Sequence, residues 1–180
     1  MIRAYLGKMR GTSISPPRVD ALEILFSGLG GFLGLGLVAF LEAQFFQESD
    51  LLLLIAPFGA SAVLLYGAVK SPLAQPRNLV GGHLLSAAVG VTALKLLSPH
   101  PALAVAVAVS VSIMLMHATR TLHPPGGATA LVAILGGPKV QNLGYLFVLM
   151  PVAAGVLLLL LVALLFNNLI PRRRYPEFWW

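Results

Sequence analysis

Six long apolar stretches make up most of this chain and limit what it can fold into. They lie at residues 21–43, 51–70, 78–97, 101–119, 122–138 and 143–170. An α-helix needs about 20 apolar residues to cross the hydrocarbon core of a bilayer. The chain is 58% hydrophobic and 10% charged, whereas a soluble domain carries roughly 25% charged residues. The sequence therefore predicts an all-α integral membrane protein surrounded by the lipid bilayer.

The basic residues predict how these stretches are oriented. With six crossings and a cytoplasmic N-terminus, ten of the 12 Lys and Arg residues fall on the cytoplasmic side, and only Lys95 and Lys139 fall outside. This imbalance follows the positive-inside rule. We therefore expect six transmembrane helices with both termini in the cytoplasm. The fifth stretch is short and Pro124-Pro125 interrupts its start, so a re-entrant half-helix is the alternative there. Because topology accounts for the net charge of +6, no nucleic-acid partner is expected.

Three regions follow from this arrangement. Residues 1–20 form a polar cytoplasmic tail, and Pro16-Pro17-Arg18 predicts a non-helical lead-in to the first span. Residues 21–170 form the transmembrane domain. Residues 171–180 are basic and aromatic, which predicts a cytoplasmic tail anchored at the membrane interface.

A motif of proline, glycine and a small hydroxyl residue occurs twice, 68 positions apart. The first copy reads Pro57-Phe58-Gly59-Ala60-Ser61, and the second reads Pro125-Gly126-Gly127-Ala128-Thr129. Each repeat, over residues 21–97 and 101–170, is expected to hold one span, one motif helix interrupted by proline and glycine, and one further span. Three crossings are an odd number, so the fold is predicted to consist of two inverted three-helix repeats. Inverted repeats are typical of transporters, with the binding site at the repeat interface.

Proline predicts that each motif helix starts anew, at Pro57 and at Pro125, because proline lacks an N–H group and disfavours helix in the residue before it. A helix start exposes free N–H groups and partial positive charge, which suit a small anion. The glycines would let the anion approach the backbone, and the two hydroxyls would add donors. The substrate-binding residues expected on this basis are Pro57, Gly59, Ala60, Ser61, His123, Pro125, Gly126, Gly127, Ala128 and Thr129. The alternative is that both motifs only pack helices tightly.

Ionisable residues in apolar stretches are further candidates, because they are costly in membranes and commonly functional. His117, Arg120 and His123 follow one another at a spacing of three, which would place them on one helix face. His123 is expected to donate a hydrogen bond or respond to protons at the site. Arg120 either draws anions to the inner mouth or serves only as a topology charge. His83 is a pathway residue or a packed core histidine, and Glu42 is coupling machinery or simply interfacial.

Small residues at a spacing of four predict where helices approach closely. The first span has Gly30-xxx-Gly34, the third has Gly82-xxx-Ser86-xxx-Gly90, and the fourth has Ala102-xxx-Ala106-xxx-Ser110. These faces suit packing inside the chain or contacts between subunits, and we favour internal packing.

Several classes of chemistry lack support in the sequence. There is no cysteine, no spacing of His, Asp and Glu that resembles a metal site, and no phosphate-binding loop. No nucleophile has an evident base and orienting partner. We therefore expect no enzymatic activity, no cofactor and no bound metal.

At His123-Pro124-Pro125-Gly126-Gly127-Ala128-Thr129-Ala130 the chain resembles the HPP family of integral membrane proteins, named for this tripeptide. The segment from Pro57 to Ala62 is also similar to that family, so the resemblance covers most of residues 20–170. Members in cyanobacteria and chloroplasts are associated with nitrite transport. The resemblance therefore implies nitrite as the substrate and a bacterial, cyanobacterial-like plasma membrane as the location. The family is described as having four spans, whereas the charge distribution predicts six.

The sequence thus predicts a transporter of a small monovalent anion, with nitrite as the first candidate and nitrate, formate and bicarbonate as rivals. A channel and a carrier are both compatible with the residues. A homo-oligomer is expected, because helices rich in small residues assemble readily. The alternative function is a non-transporting membrane anchor or sensor module that binds a partner protein.

Overall fold

A computed structural model describes residues 1–11, 13–15 and 17–180, so Pro16 of the predicted lead-in lies outside the described residues. The described part is helical. Its α-helices are α1 (Ile2–Gly7), α2 (Ala21–Phe45), α3 (Pro57–Ala62), α4 (Pro76–Leu97), α5 (Pro101–Ala118), α6 (Pro124–Leu135), α7 (Gly137–Asn142) and α8 (Ala154–Leu169). Wider π-type turns continue α3 over Val63–Gly67 and lead into α8 over Val148–Ala153, and a 3-10 turn covers Pro72–Ala74.

Among the described residues, four helices are long and apolar enough to cross a membrane. They are Ala21–Phe45, Pro76–Leu97, Pro101–Ala118 and Val148–Leu169. The two motif helices, Pro57–Gly67 and Pro124–Leu135, are apolar but shorter. The all-helical membrane fold is confirmed, whereas six full-length spanning helices are not. Helix α3 begins at Pro57, as predicted, and α6 begins at Pro124, one residue before the predicted Pro125. His123, just before α6, is extended, as expected before a proline, whereas Ala56, just before α3, has helical dihedral angles.

The segment from Leu51 to Ser71 runs along the whole length of α2. It starts at the distal end of the bundle, which we define as the end where α2 stops: the Glu42 carboxylate there accepts hydrogen bonds from the backbone N–H groups of Leu53 and Leu54. It finishes at the proximal end, where α2 begins. Residues 67–71 there line a cavity of about 340 Å³ together with Val19 and Glu23.

The helix α6 runs in the opposite direction. Thr121, just before it, packs on Gly81 near the proximal start of α4, where a Cβ added to the glycine would lie 2.5 Å from the threonine Cγ2. After α6, Lys139 and Asn142 share a distal cavity with Asp50, which follows α2. The two motif helices are therefore antiparallel, and they are in contact.

Each long helix that follows a motif packs mainly on the other half of the chain. The helix α4 packs on α5 and α6, while α8 packs on α2 and on the continuation of α3. The small face of α4 makes these contacts: Cβ atoms added at Gly82 and Gly90 would lie 2.6 Å from the His123 Cβ and 2.7 Å from the Ala130 oxygen. The prediction that this face packs internally is confirmed.

The small faces of α2 and α5 give different outcomes. Gly30 and Gly34 lie against the Tyr66 ring, whose hydroxyl donates to the Leu159 carbonyl, so this face also packs internally. In α5 the internal packing that we favoured for this face is not observed, because Ala102, Ala106 and Ser110 are exposed. The buried positions are Ala104, Ala108 and Ser112, which have the same spacing of four but lie on another side of the helix.

An ion-pair network joins the two chain ends at the proximal end. Asp20 caps α2 by accepting from the Glu23 N–H and pairs with Arg172 at 2.5 Å. The hydrogen bond from Glu23 and the neighbouring Arg172 guanidinium hold the pKa of Asp20 below its ordinary value. The aromatic residues of the predicted interfacial anchor lie in two different environments. Tyr175 is buried and donates a hydrogen bond to the Ala74 carbonyl, whereas Trp179 and Trp180 are exposed.

Candidate functional site

His83 connects the hydroxyl groups of the two motifs. It projects from α4 into the contact between α3 and α6, and its side chain is fully buried. Its Nε2 lies 2.7 Å from the Ser61 Oγ, and its Nδ1 lies 2.7 Å from the Thr129 Oγ1. Ser61 and Thr129 occupy equivalent positions in the two motif copies. One histidine therefore bonds to matching groups from both halves of the chain.

His123 extends this network toward the proximal end. It is the residue before α6, it is fully buried, and its Nε2 lies 3.0 Å from the same Ser61 Oγ. Its Nδ1 lies 2.7 Å from the Leu73 carbonyl oxygen. The two imidazole rings are close, with centroids 4.9 Å apart. The duplicated motif and the two histidines thus form one buried polar cluster in apolar surroundings, which we call the His–hydroxyl cluster: Ser61, His83, His123 and Thr129.

The hydrogen positions in this cluster follow from one fixed acceptor. A carbonyl only accepts, so His123 Nδ1 carries the hydrogen, and in the neutral ring its Nε2 accepts from the Ser61 hydroxyl. The Ser61 hydroxyl has a single hydrogen, which it donates to His123. Its oxygen therefore accepts the hydrogen bond from the Nε2–H group of His83. The Nδ1 of neutral His83 then accepts from the Thr129 hydroxyl. Every polar hydrogen of the four side chains is donated along one direction, from Thr129 to Leu73.

The other predicted motif residues are placed differently. Pro57, Pro125 and Gly126 are buried, whereas Ala60 is exposed and Gly59, Gly127 and Ala128 are partly exposed. A Cβ added at Gly59 would meet no atom within 4 Å, and one added at Gly127 would meet only Val109 at 3.9 Å. These two glycines therefore leave open surface beside the backbone of each motif helix.

The backbone donors at the start of α3 are already in use. The N–H groups of Phe58 and Gly59 donate to the carbonyls of Ile55 and Ala56, at 3.0 and 3.1 Å. At the start of α6, the Gly126 N–H donates to the His123 carbonyl. In this conformation the donors that converge between the motif helices are hydroxyl and imidazole groups rather than free helix-start N–H groups.

His117 and Arg120 do not join the cluster. His117 is exposed in the last turn of α5, and Arg120 is exposed in the following turn, where its φ of 58° ends the helix. His123 is separated from both by this turn. The three residues therefore do not share the single helix face that their spacing predicts, because the chain reverses between Arg120 and His123.

Two polar groups have roles that the sequence reading did not assign. Glu42 accepts from the N–H groups of Leu53 and Leu54, so it fixes the non-helical segment before α3 against the last turn of α2. Asn167 donates to the Leu65 carbonyl at the end of the first motif helix and accepts from buried Arg173. The signal in the sequence was a polar residue inside an apolar run, as at Asn167.

Among the described residues, no group of three or more His, Asp or Glu side chains is placed to hold a metal ion.

Comparison with known proteins assigns the chain to a family. The profile of the HPP transmembrane region matches residues 16–176, which include both motif copies and all four cluster residues. The chain belongs to the HPP family. No solved structure matches it.

Two curated relatives come from Dictyostelium discoideum, and both are described only as transmembrane proteins. One is 45% identical over 179 residues, which cover 98% of this chain and 57% of the relative. The other is 43% identical over 181 residues, which cover 98% of this chain and 63% of the relative. The chain therefore spans less than two thirds of the length of either protein. Both come from a eukaryote, so the comparisons give no support to a bacterial origin.

Proposed function

We propose that this HPP protein transports a small monovalent anion, with nitrite as the substrate, and that it performs no catalytic step. The observation that carries the proposal is the bridge that His83 makes between Ser61 and Thr129. Matching hydroxyl groups from two antiparallel motif helices meet there, deep within apolar helices. Buried ionisable groups of this kind are costly in a membrane and commonly mark a transport pathway.

The chemistry of the His–hydroxyl cluster favours an anion. Hydroxyl and imidazole groups donate hydrogen bonds that can replace the hydration of a small anion. The helices α3, α4, α5, α6 and α8 contain no Asp or Glu, so no carboxylate on them repels a negative charge. A monovalent ion fits better than a divalent one, because no Lys or Arg among the described residues is hydrogen-bonded to the cluster, where it could balance a second charge.

The path of the chain supports six crossings arranged as inverted repeats. Residues 51–56 are non-helical and residues 57–67 are helical, which together reach roughly 35 Å at about 3.3 and 1.5 Å per residue. That length is sufficient for a hydrocarbon core of about 30 Å. The antiparallel course of α6 supports an opposite crossing by the second motif. Six crossings place both termini on one side, and the positive-inside rule makes it the cytoplasmic side.

The open surfaces at Gly59 and Gly127 support a route to the cluster along the two motif helices. Because the four cluster side chains are fully buried, the proposal requires α3 and α6 to separate when the anion enters. We also propose a homo-oligomer. Cβ atoms added at Gly28, Gly31 and Gly36 of α2 would meet no atom within 4 Å, so this face allows close approach by another helix.

The test is uptake of labelled nitrite into liposomes that contain the purified protein. Entry of nitrous acid into protein-free liposomes is subtracted, and nitrate, formate and bicarbonate are added in excess as competitors. We expect saturable uptake that is blocked by few of these anions. Ser61→Leu should abolish uptake, whereas Ser110→Leu on the exposed side of α5 should not.

Absence of uptake for every anion, by protein that is folded and inserted, would contradict the proposal and favour a membrane anchor or sensor module. Equal uptake by Ser61→Leu and the wild type would leave transport in place but reject the cluster as its site.

A further inference from the structure

The hydrogen-bond partners of His83 fit two protonation states without movement of a heavy atom. In the neutral state, Nδ1 accepts from the Thr129 hydroxyl. In the doubly protonated state, Nδ1–H donates to the Thr129 oxygen instead, and the Thr129 hydroxyl turns to the Pro125 carbonyl, which lies 3.3 Å away. The donation from Nε2–H to Ser61 is the same in both states.

His123 lacks this second arrangement. Its Nδ1–H donates to the Leu73 carbonyl in either state. If Nε2 also carried a hydrogen, it would point at the Ser61 oxygen, which already accepts from His83. The Ser61 hydroxyl would then lose its acceptor, which is unfavourable for a buried group. The two adjacent histidines therefore have different roles: His83 can hold an added proton, and His123 fixes the direction of donation.

A proton on His83 would lack a compensating charge in the closed protein. The side chains facing His83 are Ser61 and the Phe58 ring from α3, Thr129 from α6, and His123 as the one titratable group in contact within the described part. Among the described helices packed around α4, the one further ionisable side chain is the exposed His117, at the end of α5, and α4 itself carries Arg77 and Lys95 near its two ends. Residues 148–169 and the 3-10 turn contain no ionisable group. A buried charge without a partner is costly, and an anion bound in the cluster would supply that partner.

We propose that His83 binds a proton together with the transported anion, so that the two cross the membrane as a neutral pair. The proposal rests on the transport function and adds proton coupling to it. The Nδ1 lone pair of His83 takes a proton from water on the side of entry, and the N–H bond breaks on the other side to return the proton to water. The imidazolium and the anion raise each other's affinity, and the two effects are equal by thermodynamic linkage.

Proton movement is measured in liposomes with a pH-sensitive dye trapped inside, during an inward nitrite gradient. We expect the wild type to acidify the interior faster than protein-free liposomes, at a rate insensitive to an imposed membrane potential. His83→Gln, which keeps hydrogen-bonding groups but does not titrate, should lose this acidification. His100→Gln, at an exposed histidine, should retain it. Nitrite uptake that moves net charge without protons would overturn the coupling while leaving the transport function intact.

A second measurement does not depend on transport. Nitrogen NMR of histidine-labelled protein in nanodiscs reports which ring nitrogens carry hydrogens. On addition of sodium nitrite near pH 6, we expect His83, assigned by its loss in His83→Gln, to gain a second N–H while His123 keeps hydrogen on Nδ1 alone. Nitrite and the proton should raise each other's affinity by about 5- to 150-fold, the usual range for coupled sites. A His83 ring unchanged by nitrite, or titration of His123 in its place, would overturn the proposal.

Discussion

Gly126 of α6 lies directly against the backbone of Gly82 in α4, such that a Cβ added at Gly126 would be 2.7 Å from the Gly82 carbonyl oxygen. A helix backbone cannot move aside as the end of a flexible side chain can. We therefore expect Gly126→Ala to lower the free energy of unfolding by about 1–3 kcal/mol, the usual cost of overpacking. The measurement is denaturant unfolding of the purified protein in mixed micelles.

The neighbouring glycine provides the control. Gly127 has only Val109 near the position of an added Cβ, at 3.9 Å. Gly127→Ala should be neutral or stabilising by up to about 1 kcal/mol, because alanine favours helix. Equal losses in both variants would show that the close contact at Gly126 does not determine the packing.

Thr129 tests the hydrogen-bond network independently of shape. Thr129→Val keeps the size of the side chain but removes the hydroxyl, which leaves the buried Nδ1 of His83 without its donor. We expect a loss of about 1–3 kcal/mol in the free energy of unfolding, as for other unpaired buried groups. Thr129→Ser keeps the hydroxyl and should lose less. The comparison fails if the serine variant is the less stable of the two.

Glu42 is expected to stabilise the entry of the first motif segment. Glu42→Ala removes the acceptor for the Leu53 and Leu54 N–H groups, and hydrogen bonds to a charged group contribute about 1.5–3 kcal/mol each. Unfolding should therefore become easier, and proteolysis within residues 51–56 should become faster. Glu42→Gln keeps one acceptor oxygen and should show a smaller effect. Glu48→Ala, at an exposed carboxylate, is the matched control, and a similar effect there would contradict the role of Glu42.

The features that the sequence predicted well depend on local chemistry. A proline start to each motif helix needs only the local sequence: Pro57 starts α3 as predicted, and Pro124, one residue before the predicted Pro125, starts α6. The number of full-length spanning helices was harder to predict from the sequence. Basic residues at the two ends of a segment look the same whether that segment is one long helix or a non-helical stretch followed by a short helix. Contacts between residues far apart in the sequence could not be predicted, for a physical reason. His83 bonds to partners 22 and 46 positions away, and only the packing of three helices brings these groups together.

The fourth long stretch shows a second limit. In α5, alanine occupies positions 102, 104, 106 and 108 in turn, so two sides of the helix are equally small and apolar. A spacing of four fits both sides, and the side that packs on α4 and α6 depends on which partner surfaces are present. The same ambiguity does not arise in α4, where large residues flank a single small face.

Arg173 is expected to hold the proximal end of the bundle together. Its guanidinium donates to Asn167 at 2.8 Å, to Ser27 at 2.9 Å and to both Glu23 oxygens at 2.7 and 3.3 Å, with 3% of the side chain exposed. These acceptors come from α2 and α8, and Asn167 also binds the end of the first motif helix.

Lysine carries the same charge but places its donors on one atom, so Arg173→Lys cannot reproduce the paired bonds to Glu23 together with the bond to Asn167. We expect a loss of about 1.5–3 kcal/mol in the free energy of unfolding, because a hydrogen bond to a charged group is lost. Arg174→Lys, at an exposed neighbour, should change stability little. If Arg173→Lys had the same free energy of unfolding as the wild type, the positive charge alone would explain how this residue stabilises the protein. The directional hydrogen bonds from Arg173 to α2 and α8 would then not be needed to join the two ends of the chain.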